Sequence, residues 1–304
     1  MKIIKPIFLT LTIIIFLFNL DIVINSTLSA SYLFITKVFV SIFPFIILSD
    51  ILFYFNYDLF LKKIFGNIIS KLFNVSKNTS IIYVLSILTS HPTNSIYIKE
   101  MLDRKEIDEN DINKILLTTY FPSIAFVIGT IGIGIYHSIK IGAFLYLTIL
   151  IKNILIGIFL RGKNLCKEVP SIKKNKITLQ ETISKSIIKG INTSYIILGN
   201  IIIFTIIVNL LNHYLNINST LLSLISGMLE MTNGIFMISN LNINLSRKIL
   251  LTSFILNFSG LSIIFQTTSI LNKYKINIKK ILIIKLIFSV IAILLVAFLL
   301  PRVV

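Results

Sequence analysis

In the stretch SGMLEMTNGIF, residues 226–236, a carboxylate, Glu230, stands inside an apolar run that breaks at Thr232, Asn233 and Gly234. Asp50 and Lys152 interrupt other apolar stretches in the same way. A charge at the centre of a lipid-spanning helix costs about 2.5–3.5 kcal/mol on insertion scales, so each needs a reason. Two kinds of chemistry are open to such groups. They can neutralise one another as buried ion pairs, Glu230 with Lys152 or Asp50 with Lys152, or they can hold a charged substrate or a coupling ion. Lys152 is nine residues before Arg161, about 13 Å along a helix, which is deep for snorkelling to an interface. Asp21 and Lys37 fall near segment ends and read as interfacial.

Polar residues gather around two such breaks. The first has Ser90, His91, Thr93, Asn94 and Ser95, followed by Thr118, Thr119 and Ser123 on the next segment. The second has Thr232 and Asn233, followed by Asn257, Ser259, Ser262 and Gln266. Any one of these reads as an interhelical hydrogen bond, and His91 alone as structural. Together, on two broken elements and the spans after them, they read as a lined cavity. Gly129, Gly132 and Gly134 follow no strand and indicate close helix packing rather than a dinucleotide loop.

The rest of the chain says what surrounds these groups. Hydrophobic residues make up 55% of 304 and charged ones 13%, against roughly 25% charged in soluble domains. Mean hydropathy is +0.92. This is the composition of an integral membrane protein. The net charge of +17 sits between apolar spans, as the positive-inside bias requires, and does not indicate nucleic acid. One cysteine, Cys166, and three histidines allow neither an intramolecular disulfide nor a zinc cluster. No phosphate loop and no nucleophile with a base appear, so neither an enzyme, a cofactor nor an ATP-driven pump is indicated.

Seven segments are long enough to span: roughly 3–20, 32–54, 115–136, 141–160, 193–211, 249–271 and 281–300. The first reads as an uncleaved anchor rather than a signal peptide, although Leu28-Ser29-Ala30 resembles a cleavage site. Two apolar runs, 80–90 and 220–231, are too short to span and read as re-entrant hairpins. Residues 59–73 place Leu61, Phe65, Ile68, Ile69, Leu72 and Phe73 opposite Lys62, Lys63 and Lys71, the pattern of a helix lying on a membrane surface. The acidic stretch 99–114 reads as a solvated connection, with Asp108 capping the helix that follows.

Basic loops at 55–79, 161–190 and 272–280 face the cytoplasm by the same bias, with Cys166 inside and the C-terminus outside. TNSIY at 93–97 echoes TNGIF at 232–236, and KILLTT at 114–119 echoes KILLTS at 248–253. Each half reads as span, hairpin, span, span, and the halves face opposite ways. The expected organisation is an anchor and external linker at 1–31, a first repeat at 32–160 with its tip at 90–95, a basic cytoplasmic linker at 161–192, and a second repeat at 193–304 with its tip at 230–234. Inverted repeats with matching broken segments are the pattern of secondary transporters.

LEMTNG at 229–234, NFSGLSIIFQ at 257–266, FPFIILSDIL at 43–52 and VIGTIGIGIY at 127–136 resemble the sporulation integral membrane proteins of the YlbJ type. This is a stage V sporulation family grouped with nucleoside-recognition, or Gate, domain proteins and distantly similar to concentrative nucleoside transporters. The first half departs from the family pattern. Ser90-His91-Pro92-Thr93-Asn94 stands where that family has a Gly-Tyr-Pro-x-Gly-like turn, and Tyr120-Phe121-Pro122-Ser123-Ile124 where it has an Asn-Asn-Ser-Gly-Pro-like stretch.

The resemblance implies transport of dipicolinic acid, a small aromatic dicarboxylate, across the outer forespore membrane of an endospore former. The expectation is therefore an all-α transporter of a small anionic metabolite in the lipid bilayer, with a proton or Na+ as coupling ion. Its expected site is Glu230, Thr232, Asn233, Asn94, Thr93, Ser90, Asn257, Ser259, Ser262, Gln266, Lys152 and Asp50. A nucleoside transporter of the same build and a non-transporting spore-assembly scaffold are the alternatives.

Overall fold

The computed structural model describes residues 4–55, 57–162 and 178–302, and every element among them is helical. Cys166 and the lysines around it, expected in the cytoplasm, lie outside the described residues. Helix α1 is Ile4–Phe18, and α2, Leu20–Leu33, runs through a π-helical stretch at Phe34–Phe39 into α3, Val40–Tyr54. Helices α4 (Tyr57–Phe73), α5 (Lys77–Thr89), α6 (Thr93–Asp103) and α7 (Ile112–Thr119) follow, then a π-helical segment at Ala125–Ile135 and α8, Ile139–Phe159. The long α9 is Leu179–Leu215. The remaining helices are α10 (Ser219–Leu229), α11 (Met231–Ser239), α12 (Leu245–Phe258), α13 (Gly260–Ile270) and α14 (Ile278–Leu299).

Among the described residues, five helical stretches are long and apolar enough to cross a membrane: Leu20–Leu52, Ile139–Phe159, Leu179–Leu215, Leu245–Ile270, which is kinked at Ser259, and Ile278–Leu299. Burial follows the logic of a lipid solvent. Phe18, Leu294 and Phe298 are exposed, while Ser86, Asn94, Thr252, Ser253 and Thr267 are wholly buried. Polar side chains turn inward because only protein or trapped water can satisfy their donors at membrane depth.

Two expected spans differ. The segment 3–20 yields only the 15 residues of α1, ending at Asn19, whose backbone is non-helical (φ −127, ψ 39). The segment 115–136 is divided after Thr119 into α7 and the π-helical stretch, with Pro122 inside the break. Two expected linkers are helical instead. Residues 21–31 belong to α2, so Lys37 is exposed near the middle of the Leu20–Leu52 helix and not at a span end. Residues 179–192 are the start of α9. At 1.5 Å per residue, these two long helices measure about 50 and 55 Å, well beyond a hydrocarbon core of about 30 Å.

The two long helices pack along one another. Near one end, Asn19 and Asn209 bond to Tyr214 and Ser26 at 2.8 Å. Near the other, Lys189 Nζ donates to Asp50 Oδ1 at 2.8 Å. Helix α4 buries Leu61 and Phe73 against α5 and leaves Phe65, Ile68 and Leu72 exposed. The expected apolar face is thus divided between a protein contact and the outside. Asp108 accepts from Asn110 N at 2.9 Å and caps the short turn that leads into α7.

Glycines set the closest approaches. A Cβ on Gly132 would lie 2.7 Å from the Gly142 Cα, so this member of the glycine triplet is a packing residue. In α10 and α11 the contact is tighter: a Cβ on Gly234 would lie 2.2 Å from the Gly227 Cα. Backbone must move to admit it. Gly234→Ala is expected to lower stability by about 1–3 kcal/mol, read as a lower unfolding midpoint in detergent. An unchanged midpoint would mean the two helices do not meet there.

Candidate functional site

Both expected tips contain an interruption between helices, but the second falls at Glu230, and Thr232, Asn233 and Gly234 lie inside α11. At the first, α5 ends at Thr89 and α6 begins at Thr93. The His91 amide donates to Phe121 O at 2.9 Å and the Asn94 amide to Ser90 O at 2.8 Å. This ties the first break to the other one in its half, at 120–124. At the second, Glu230 alone separates α10 from α11, in extended conformation (φ −137, ψ 115). Its Oε2 accepts from the Asn233 amide at 2.7 Å. The carboxylate therefore caps the N-terminus of α11, where free amides and the helix dipole favour negative charge.

The two breaks face one cleft. The first half contributes Ser90, His91 and Ser123, and the second contributes Glu230, Thr232, Ser262 and Gln266. Val38 and Ile42 of the Leu20–Leu52 helix and Ile197 of α9 complete the wall. Gln266 Nε2 donates to Ser262 Oγ at 3.0 Å, and the Gln266 Oε1 has no hydrogen-bond partner. Ser123 Oγ accepts from the Phe126 amide at 3.0 Å, so the hydroxyl that starts the π-helical segment also lines the cleft.

Of the other expected site residues, Asn233 lies just behind the tip, its Nδ2 donating to Ser226 Oγ at 3.1 Å. Thr93 and Asn94 are buried at the start of α6, and Thr93 Oγ1 and both amide atoms of Asn94 lack hydrogen-bond partners. Ser259 holds the kink between α12 and α13 at φ 69 and ψ 11, its hydroxyl bonded to Leu256 O at 3.2 Å. Asn257 donates to Ser253 O at 2.8 Å. Thr118 and Thr119 spend their hydroxyls on carbonyls of α7.

The expected ion pairs are corrected. Lys152 bonds neither Glu230 nor Asp50; its Nζ donates to the Asn257 carbonyl at 3.0 Å. Asp50 belongs to a separate network in which its Oδ1 accepts from Lys189 and from the Tyr97 hydroxyl. Burial makes a charge seek the nearest group able to satisfy it, and for Lys152 that is the carbonyl end of an interrupted helix.

Three residues outside the expected set complete the interior. Lys285 on α14 is 0% exposed, and its ammonium lies 3.5 Å from the centroid of the Tyr120 ring. His91 stacks on the same ring at 4.4 Å. Lys285 carried a signal, since it stands in the apolar run 281–300 at nearly the same distance from KILLTS as Lys152 does from KILLTT. Tyr120, at the end of α7, gave none.

Among curated proteins, the chain is 22% identical over 294 residues to the sporulation integral membrane protein YlbJ of Bacillus subtilis (strain 168), covering 84% of this chain and 72% of that protein. The chain is similar to the YlbJ-type sporulation membrane proteins. The resemblance read from the sequence is borne out at that level. No protein-family model matches the chain, and no solved structure matches it. Ser90, at the end of α5, holds φ 55 and ψ 165, a region that favours glycine.

Proposed function

We propose that the protein is a secondary-type transporter for a small anionic metabolite, with dipicolinic acid the substrate that the YlbJ resemblance implies. One observation carries the reading: two interrupted helix pairs, far apart in sequence, meet at one cleft through Ser90 and His91 on one side and Glu230 and Thr232 on the other. Interrupted helices survive at membrane depth only where protein or a water-filled cavity serves their free backbone groups. Matching breaks in two halves are how secondary transporters build a site near the midplane.

In this reading α5–α6 and α10–α11 are re-entrant hairpins, and α7 with its π-helical continuation crosses as one broken span, like α12 with α13. The two sets then form an inverted repeat with basic loops inside, in the outer forespore membrane. A carboxylate repels a dianion, so Glu230 serves a coupling proton or Na+ rather than the substrate itself. Asn94, Thr93 and the side chains of the cleft wall present hydrogen bonds to the substrate.

The test is equilibrium binding of radiolabelled dipicolinate and of uridine to the purified protein, with uptake into proteoliposomes. Dipicolinate is expected to bind and accumulate. Uridine binding without dipicolinate would establish a nucleoside transporter instead, and failure of both to bind or accumulate would leave the scaffold reading.

A further inference from the structure

Two lysines stand at matching places in the two halves. Lys152 on α8 and Lys285 on α14 are 285 − 152 = 133 positions apart, against 248 − 114 = 134 for KILLTT and KILLTS. Both are buried, at 2% and 0% exposure. Each crosses to the end of the interrupted helix in the other half. Lys152 meets the Asn257 carbonyl near the end of α12, and Lys285 meets Tyr120 at the end of α7.

There the likeness stops. The Tyr120 carbonyl already accepts from Asn153 Nδ2 at 3.1 Å. Lys285 Nζ finds no hydrogen-bond acceptor and lies over the Tyr120 ring. Among the described residues no carboxylate forms an ion pair with either lysine. A ring face attracts an ammonium ion but accepts no strong hydrogen bond, and a buried charge with idle donors is costly unless an acceptor anion meets it. Both side-chain amide atoms of Asn94 are buried and unpartnered, and His91, stacked on the same ring as Lys285, lines the cleft.

We propose that Lys285, held over Tyr120 beside His91, is the anchor for one carboxylate of the substrate, and that Lys152 is a positioning residue that caps α12 and does not touch the substrate. The ammonium supplies the charge. Tyr120, stacked on His91, holds the ammonium in place. His91 carries the site to the cleft. This deepens the anion-transporter reading and rests on it.

The experiment is binding of radiolabelled dipicolinate to the full-length protein in nanodiscs. It compares wild type, Lys285→Met, Lys285→Arg and Lys152→Met, each checked for its unfolding midpoint. Lys285→Met is expected to weaken binding about 10–100-fold, the size of one lost hydrogen-bonded charge contact, with Lys285→Arg recovering part of it. Lys152→Met is expected to shift the midpoint while binding stays within about threefold. A second measurement uses only the wild type: modification by a membrane-permeant amine reagent, read by mass spectrometry. Saturating dipicolinate should protect Lys285 and not Lys152. Wild-type dipicolinate binding that Lys285→Met leaves intact, or equal modification of Lys285 with and without dipicolinate, overturns the assignment and spares the transporter reading. A wild type that binds no carboxylate overturns both.

Discussion

Glu230→Gln is expected to leave a folded protein that still binds dipicolinate but accumulates at least about tenfold less of it in proteoliposomes, a loss of at least one decade in rate. The substitution separates the two things the carboxylate does. As the cap of α11 it accepts a hydrogen bond from the Asn233 amide, and a glutamine oxygen can still accept that bond. The unfolding midpoint should therefore move little, whereas Glu230→Ala, which removes the acceptor, should cost about 0.5–2 kcal/mol. Only the charge is lost in the glutamine variant, and the charge is what a coupling proton or Na+ would use. Dipicolinate binding should hold or tighten, because a like charge beside the cleft has gone. Normal accumulation at normal protein level would remove Glu230 from the mechanism and leave it as a helix cap.

The hydrophobic pattern and the interruptions revealed most of the frame. The tips at 90–95 and 230–234 were legible because polar and helix-breaking residues interrupt apolar runs too short to span; the structure narrows the breaks to Ser90–Pro92 and Glu230, with Thr93–Ser95 and Thr232–Gly234 already helical. The break inside 115–136 was not read, although Pro122 stands in it, because the flanking residues are apolar enough to mimic a continuous span. The helicity of 21–31 and 179–192 was also missed. Both are polar enough to resemble loops, yet they lie within helices longer than the bilayer core.

Pairing was the least legible feature. A sequence shows that Glu230, Lys152 and Asp50 are costly in lipid, but not which neighbours relieve the cost. Helix carbonyls and amides proved as able to do so as opposite charges: the α11 amides serve Glu230 and the α12 carbonyl serves Lys152. Backbone groups at helix ends leave no mark in composition. Lys285 was overlooked for a related reason, since a lone lysine near the end of a span reads as a snorkelling residue until the fold shows it fully buried against Tyr120.

Asp50→Leu is expected to destabilise the protein by about 3–5 kcal/mol, the cost of stripping one partner from a buried pair. Asp50 joins three elements. Its Oδ1 accepts from Lys189 Nζ of α9 at 2.8 Å and from the Tyr97 hydroxyl of α6, while the Lys189 ammonium also lies 4.0 Å from the centroid of the Tyr97 ring. The two charged side chains are only 13% and 20% exposed, so water cannot easily replace the carboxylate. Removing it leaves the Lys189 cation half-buried without its counter-charge. The double variant Asp50→Leu, Lys189→Met removes both charges and replaces them with apolar groups of similar bulk. It should regain most of the lost stability. The readout is the unfolding midpoint of both single variants and the double, beside dipicolinate uptake per folded molecule. A structural clamp predicts strong coupling in the cycle and near-normal uptake by the double variant. If instead Asp50→Asn keeps the wild-type midpoint and loses uptake, Asp50 acts in transport and the clamp reading fails. The clamp is favoured because Asp50 faces Lys189 and Tyr97 rather than the cleft where the two breaks meet.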